Sequence, residues 1–173
     1  MDRAELRAVQ EPLKESYRAR PESAVVTMRA VGDLDDEQIA CSVTTGQALV
    51  AAGLHPAAGG TGELACSGDM LLQALVACAG VTLRAVATAL GLDVSGTVSA
   101  EGDLDFRGTL GVRVDDGDPA PVGFGAVRLR FDLHGTADEE QRATLLKLTE
   151  RYCVVYQTIA QGVPVTVSHT FAD

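Results

Sequence analysis

The stretch from Met70 to Leu92 constrains the fold more than any other part of the chain. It approaches the length of a membrane span, yet Gln73, Thr82, Arg84 and Thr88 interrupt it, Ala is abundant, and it carries Gly80 and Gly91. Polar and small residues lower its hydrophobicity per residue, so a buried core helix is the better reading. The helix is expected over Gly68 to Leu90, with Ser67 as N-cap, Asp69 in the first turn where the helix dipole favours a carboxylate, and Gly91 as the stop. Apolar residues fall on nearly every side, which predicts burial all round rather than one wet face. Ala74, Ala77, Cys78, Gly80, Ala85 and Ala87 are small enough to let neighbouring elements approach closely.

A chain of 173 residues fits one domain, residues 1–173. At this size a chain buries about 70% of its unfolded surface, so it needs no disulfide or metal staple. Against 24 acidic residues there are 14 Lys and Arg, a net charge of −10, which is wrong for binding a phosphate backbone. Aromatics make up 4% and Trp is absent, so stacking platforms for single strands are not expected either. No nucleic-acid partner is therefore expected. The charged start, Met1 to Arg20, lacks the apolar run of a secretory signal, which points to a cytoplasmic, reducing setting. Cys41, Cys66, Cys78 and Cys153 form no CxxC pair, and His55, His134 and His169 show no ligand spacing to them. A zinc site is not expected, and free thiols are expected over disulfides. Any one of these cysteines is most simply a small core hydrophobe.

Along the chain, Arg3 to Tyr17 reads as a short helix with Leu6, Val9, Leu13 and Tyr17 on one stripe, interrupted by Pro12. Ala24 to Val31 reads as a strand and Gly32 to Asp36 as a turn, with Ile39, Cys41 and Val43 alternating on the return strand. Gln47 to Ala52 fits either a short strand or a helical turn, and His55 to Gly62 is a Gly/Pro loop in which His55 is expected at the surface. Val94, Val98, Ala100, Leu104 and Phe106 alternate as a strand, and Asp115 to Pro121 is an acidic turn. Val127, Leu129, Phe131 and Leu133 alternate with Arg128, Arg130, Asp132 and His134, the clearest half-buried strand in the chain. Thr136 to Glu139 reads as a capping box opening a second long helix with a stripe of Leu145, Leu148, Tyr152, Val155 and Ile159. Val163, Val165 and Val167 suggest a final strand. No βαβ alternation dominates, so the expected class is α+β.

Four segments, Gly68 to Cys78, Leu148 to Tyr156, Glu101 to Gly108 and Lys14 to Ala30, together resemble the OsmC/Ohr superfamily, in its OsmC-like, YhfA-type branch. Gly68 to Cys78 is similar to that family's central-helix motif, in which an Ala-rich helix carries a reactive Cys. Leu148 to Tyr156, followed by Val163-Pro164-Val165, is similar to its second Cys motif and terminal strand. Glu101 to Gly108 resembles the strand after the first helix, and Lys14 to Ala30 the branch's N-terminal entry. The resemblance implies an antiparallel sheet wrapped around two long central helices, and an intertwined homodimer with sites at the interface. A large apolar helix in so short a chain also asks for more covering surface than the other elements supply.

The resemblance further implies thiol-based reduction of organic hydroperoxides, with no bound cofactor, no metal and an external dithiol as reductant. Cys78 would be the peroxidatic thiol and Cys153 the resolving one; each has helix packing as its plainer reading. A thiolate is the nucleophile, so a Cys in mid-helix is inert unless a cation or donor lies close. The family supplies an Arg from the N-terminal hairpin, held by a Glu. Arg29 is the best match for the Arg, with an exposed strand residue as the alternative and Arg18 and Arg20 behind it. Peroxidatic members carry the Glu at the position that is Gly68 here, and Asp69 beside it is the candidate substitute. Val154 stands where many members have Pro after the second Cys, which would permit one continuous helix through Cys153. These departures keep two other expectations open: a binding protein for a small apolar or lipid-like ligand, and a redox-sensing dimer. Neither involves a membrane.

Overall fold

A computed structural model describes residues 2–5, 7, 8, 10, 31–34, 40–45, 48–111 and 117–171. The stripe of the N-terminal helix is seen only in part, with residues 3–5, 7, 8 and 10 helical. Arg18, Arg20 and Arg29 lie outside the described residues, as does most of the expected first strand. Six strands follow in two sheets. In the first, β1 (Val31–Leu34), β2 (Ala40–Thr45), β3 (Ala48–Gly53) and β4 (Ala65–Cys66) pair in that order. The β1–β2 hairpin is antiparallel with Gly32 opposite Val43, so residues 32–34, expected in a turn, belong to the strand. Residues 48–53 take the strand alternative, antiparallel to β2, and the two-residue β4 is parallel to β3. The second sheet is a long antiparallel pair, β5 (Val94–Leu104) and β6 (Phe124–Gly135). Its alternation is as expected: Val127, Leu129, Phe131 and Leu133 turn inward, while Arg128, Arg130, Asp132 and His134 are exposed. Phe106 is not on the strand. Asp105 accepts a hydrogen bond from the Arg107 N–H and starts a short helix, α2 (Phe106–Thr109), which follows β5 and the long helix α1 (Ser67–Leu90).

The long apolar helix is α1 (Ser67–Leu90). Cys66 rather than Ser67 holds the N-cap position, and it caps with no side-chain bond. Asp69 is in the first turn as expected. Gly91 stops the helix in the left-handed region, and the Leu92 N–H closes back on the Ala87 carbonyl at 2.9 Å. Burial is one-sided, contrary to expectation. Leu75, Ala79, Leu83, Val86 and Ala87 are buried, whereas Ala74, Ala77 and Val81 are exposed, Val81 by 72%. The composition is apolar all round, but the described residues cover one face only. The helix is long and apolar enough to cross a membrane by composition, and its buried face packs against β5 and the two C-terminal helices.

Those helices are α3 (Glu139–Tyr152) and α4 (Val154–Gln161). The capping box is formed by Asp138 and Gln141, two residues after the expected pair. Their side chains bond reciprocally to each other's backbone N–H at 2.8 and 3.0 Å. The buried line is Leu145, Thr149 and Cys153, all about 1% exposed, while Tyr152 of the expected stripe is 56% exposed. Leu145 joins Leu83, Val86, Ala87, Val94 and Ala137 in the core. Burying a leucine fully contributes roughly 1.5–3 kcal/mol. The expected final strand is not formed: residues 162–170 have no regular structure, and Val163, Val165 and Val167 are exposed. A strand needs a partner edge for its N–H and C=O groups, and none of the described residues pairs with this segment.

Candidate active site

The second long helix breaks at Cys153, and that break builds the site. Cys153 has φ −72° and ψ 106°, so it ends α3 and begins α4. Its N–H still donates to the Thr149 carbonyl at 2.9 Å, and its own carbonyl accepts from Gln157 N–H at 3.0 Å. The continuous helix that Val154 would permit is therefore absent. At the start of α4 the first amide N–H groups have no intrahelical acceptor. They meet the sulfur of Cys78, which α1 presents at half-burial.

Each of the two sulfurs is among the groups that set the other's ionisation. Burial is the largest single influence on Cys78 and opposes ionisation. The Val155 N–H, the Cys153 thiol, the Val154 N–H and the Thr82 hydroxyl outweigh it and hold Cys78 below the ordinary thiol range. Cys153 goes the other way. Burial pushes its thiol up, the Tyr156 N–H partly offsets this, and the neighbouring Cys78 pushes it up further. One sulfur is thus set to carry negative charge and the other to keep its proton and donate it.

The sequence placed Cys78 and Cys153 as a pair, and the structure brings them together. Asp69 is exposed at the far end of α1, about 13 Å along the helix axis from Cys78 by the rise per residue. It does not touch the thiol pair, and its reach to Arg29 falls outside the described residues. Gly68 has its own local reason: a Cβ there would lie 3.3 Å from the Phe124 ring, so a larger side chain must displace that ring. Cys66 is half-buried at the start of α1, about 18 Å along the axis from Cys78. His55 is half-buried rather than exposed, capping a 3-10 turn through Nδ1 and stacking on Phe106 at 4.7 Å. Arg84, on α1, donates to the Val94 carbonyl at 2.6 Å.

Among the described residues, none of the groups that most strongly set Cys78's ionisation is a cation. The donors that do so, Thr82 and the amides of Val154 and Val155, were not found from sequence. Thr82 was findable, since residues four apart share a helix face. The amides depend on the break, which no residue type announces. Among the described residues no three His, Cys, Asp or Glu side chains converge as a metal would require. Beside the thiols, between Leu75 of α1 and Tyr156 of α4, runs an open apolar groove of about 1020 Å³, floored by Leu129 and Phe131 of β6.

Two cysteines from separate helices, one tuned to ionise and one to stay protonated, define a dithiol site in an α+β fold. The family model for OsmC-like proteins matches residues 60–168, and the chain belongs to that family. Solved structures share the fold. An OsmC-like protein from Mycoplasma pneumoniae superposes with a TM-score of 0.62 at 16% identity, covering 80% of this chain and 89% of that one. An organic hydroperoxide resistance protein from Elizabethkingia anophelis, with bound thiocyanate, gives 0.58 at 18% identity over 80% and 90%. One from Legionella pneumophila, described as a predicted redox protein, gives 0.53 at 16% over 78% and 91%. At such identities the likeness establishes fold alone. No curated protein matches the chain.

Proposed function

We propose that this protein is a thiol-dependent peroxidase that reduces organic hydroperoxides. The observation that supports the reading is the opposed ionisation of two neighbouring cysteines, Cys78 and Cys153. The Cys78 thiolate attacks the terminal peroxide oxygen. The O–O bond breaks, the alkoxide takes a proton and leaves as the alcohol, and the sulfur is oxidised by two electrons to a sulfenic acid. The Cys153 thiol then attacks that sulfur, an S–S bond forms and water leaves. An external dithiol returns two electrons and two protons. No bound cofactor takes part.

Arg29 and Asp69 would complete the site by stabilising and positioning the thiolate. The assembly would be a cytoplasmic homodimer of one domain per chain. Support for a second copy comes from the apolar face of α1 that the described residues leave exposed, Val81 by 72%, and from Val165 and Val167, 81% and 90% exposed. The test is mass spectrometry after one equivalent of cumene hydroperoxide. An intrachain link between Cys78 and Cys153 is expected, and Cys78→Ser should abolish dithiol-dependent turnover. Normal turnover by that variant refutes the assignment. The apolar groove favours a second reading, a binding protein for a lipid-like ligand. Co-purified ligand together with thiols inert to hydroperoxide would replace the first reading with it.

A further inference from the structure

Ending α3 at Tyr152 leaves a carbonyl without its helical donor, and a side chain takes it up. In an unbroken helix the Glu150 carbonyl would accept from the Val154 N–H, four residues on. The turn at Cys153 undoes that bond, and Gln157 replaces it: its side-chain Nε2 donates to the Glu150 carbonyl at 2.8 Å. The Gln157 backbone N–H donates at the same time to the Cys153 carbonyl at 3.0 Å. The orientation of the amide follows from its chemistry. A carbonyl only accepts, so the nitrogen must face Glu150, and the amide oxygen accepts from the Gln161 side chain. Residues 150 and 157 would lie about 10.5 Å apart along the axis of a straight helix, too far for a glutamine amide to bridge. The bond therefore belongs to the broken form alone.

We infer that Gln157 is a positioning residue for the thiol pair: its side-chain amide, clasped to the Glu150 carbonyl across the joint, holds α3 and α4 in the broken arrangement that sets Cys153 against Cys78. The inference rests on reading Cys78 and Cys153 as the pair that forms the disulfide. α4 packs against α1, so the angle at the joint decides where the Cys153 sulfur stands relative to Cys78. With the amide removed, the Glu150 carbonyl is open to the Val154 N–H again, and one continuous helix competes with the break. Val154, unlike a proline, keeps the N–H that this needs. Gln157 acts on the sulfurs through the joint.

The test equilibrates the reduced full chain with glutathione buffers in about 0.5 M salt and reads the Cys78–Cys153 link by mass spectrometry after acid quench. Two protein thiols and one glutathione disulfide give the intrachain disulfide and two glutathione thiols. Gln157→Met keeps the length and removes the donor. It should lower the equilibrium constant for the link about three- to tenfold, the worth of one hydrogen bond, and so raise the midpoint potential by about 15–30 mV. Gln157→Lys returns a donor of similar reach and should stay within about twofold of wild type, the salt screening its charge. A Met variant with the wild-type potential, or one oxidised more easily, overturns the inference whatever its stability to urea, because Gln157 would then only brace the fold. So does a Lys variant shifted as far as the Met variant. If Gln157→Met fails to fold by circular dichroism, Gln157→Asn, whose amide is one carbon too short, is read against Gln157→Lys in the same way. Glutathione exchange needs no peroxide. A wild-type chain that forms no Cys78–Cys153 link overturns the inference together with the pair. One that shows the Gln157 dependence yet turns over no hydroperoxide sinks the peroxidase reading and leaves the clasp assigned.

Discussion

Replacing Val154 by proline deletes one donor to Cys78 and leaves the helix intact. Val154 is the first residue of α4, where the missing N–H breaks no intrahelical bond. Cys153 before it already has the extended backbone, φ −72° and ψ 106°, that a following proline requires. The Gln157 to Cys153 bond at 3.0 Å is untouched. What disappears is the N–H aimed at the Cys78 sulfur. A hydrogen bond to a charged group contributes about 1.5 kcal/mol at the lower end of its range, close to a factor of ten in ionisation. At pH 7 the variant should therefore hold about tenfold less Cys78 thiolate. A more basic thiolate is also more nucleophilic, with a slope of about 0.4–0.5, which returns roughly threefold. Attack on an aromatic disulfide reagent should be about three- to fourfold slower at pH 7. At a pH high enough to ionise Cys78 fully in both proteins, the variant should be about threefold faster. The rate is followed on the Cys78 peptide by quenched mass spectrometry. A folded variant with unchanged rates, or slower at both pH values, refutes the claim that this amide stabilises the thiolate.

Three further outcomes follow from the packing and the site. Leu145, 1% exposed at the centre of the core, should cost about 2–5 kcal/mol when changed to Ala, measured by urea unfolding. Cys153→Ser should leave a trappable sulfenic acid on Cys78 after one equivalent of hydroperoxide, with no intrachain link; dimedone labelling with mass spectrometry reads both. Val81→Arg on the uncovered face of α1 should convert a dimer to a monomer in analytical ultracentrifugation while near-wild-type folding persists. A wild-type chain that sediments as a monomer removes the case for a second copy.

The strands and the pair of cysteines were legible because each leaves a local trace. Alternation over Val127 to His134 fixes which side faces inward, and that side is the buried one. Cys78 and Cys153 each sit within a recognisable helix motif. Less local features were misread. The Thr136–Glu139 capping signal and the Asp138–Gln141 box overlap, and tertiary packing of Ala137, 5% exposed, selects the second. The stripe drawn through Tyr152 treats residues 139–161 as one helix. Leu145, Thr149 and Cys153, spaced by four, share the buried face of α3, and the stripe through Leu148 and Tyr152 lies beside it. The even spread of apolar residues on α1 predicts cover on every side, but sequence does not say which chain provides it. Val163 to Val167 alternates like a strand and finds no edge among the described residues.

The joint at Cys153 has a mechanical consequence. Cys78 is fixed on a continuous helix whose every turn is braced, whereas Cys153 is not. Cys153 is the hinge pin between two rods, anchored through its N–H to one and through its carbonyl to the other. Drawing its sulfur toward Cys78 works on that pivot, and the rod beyond it carries Tyr156 and Ile159, two walls of the apolar groove. The oxidation state of one bond and the shape of the neighbouring cleft are therefore geared to the same few torsions.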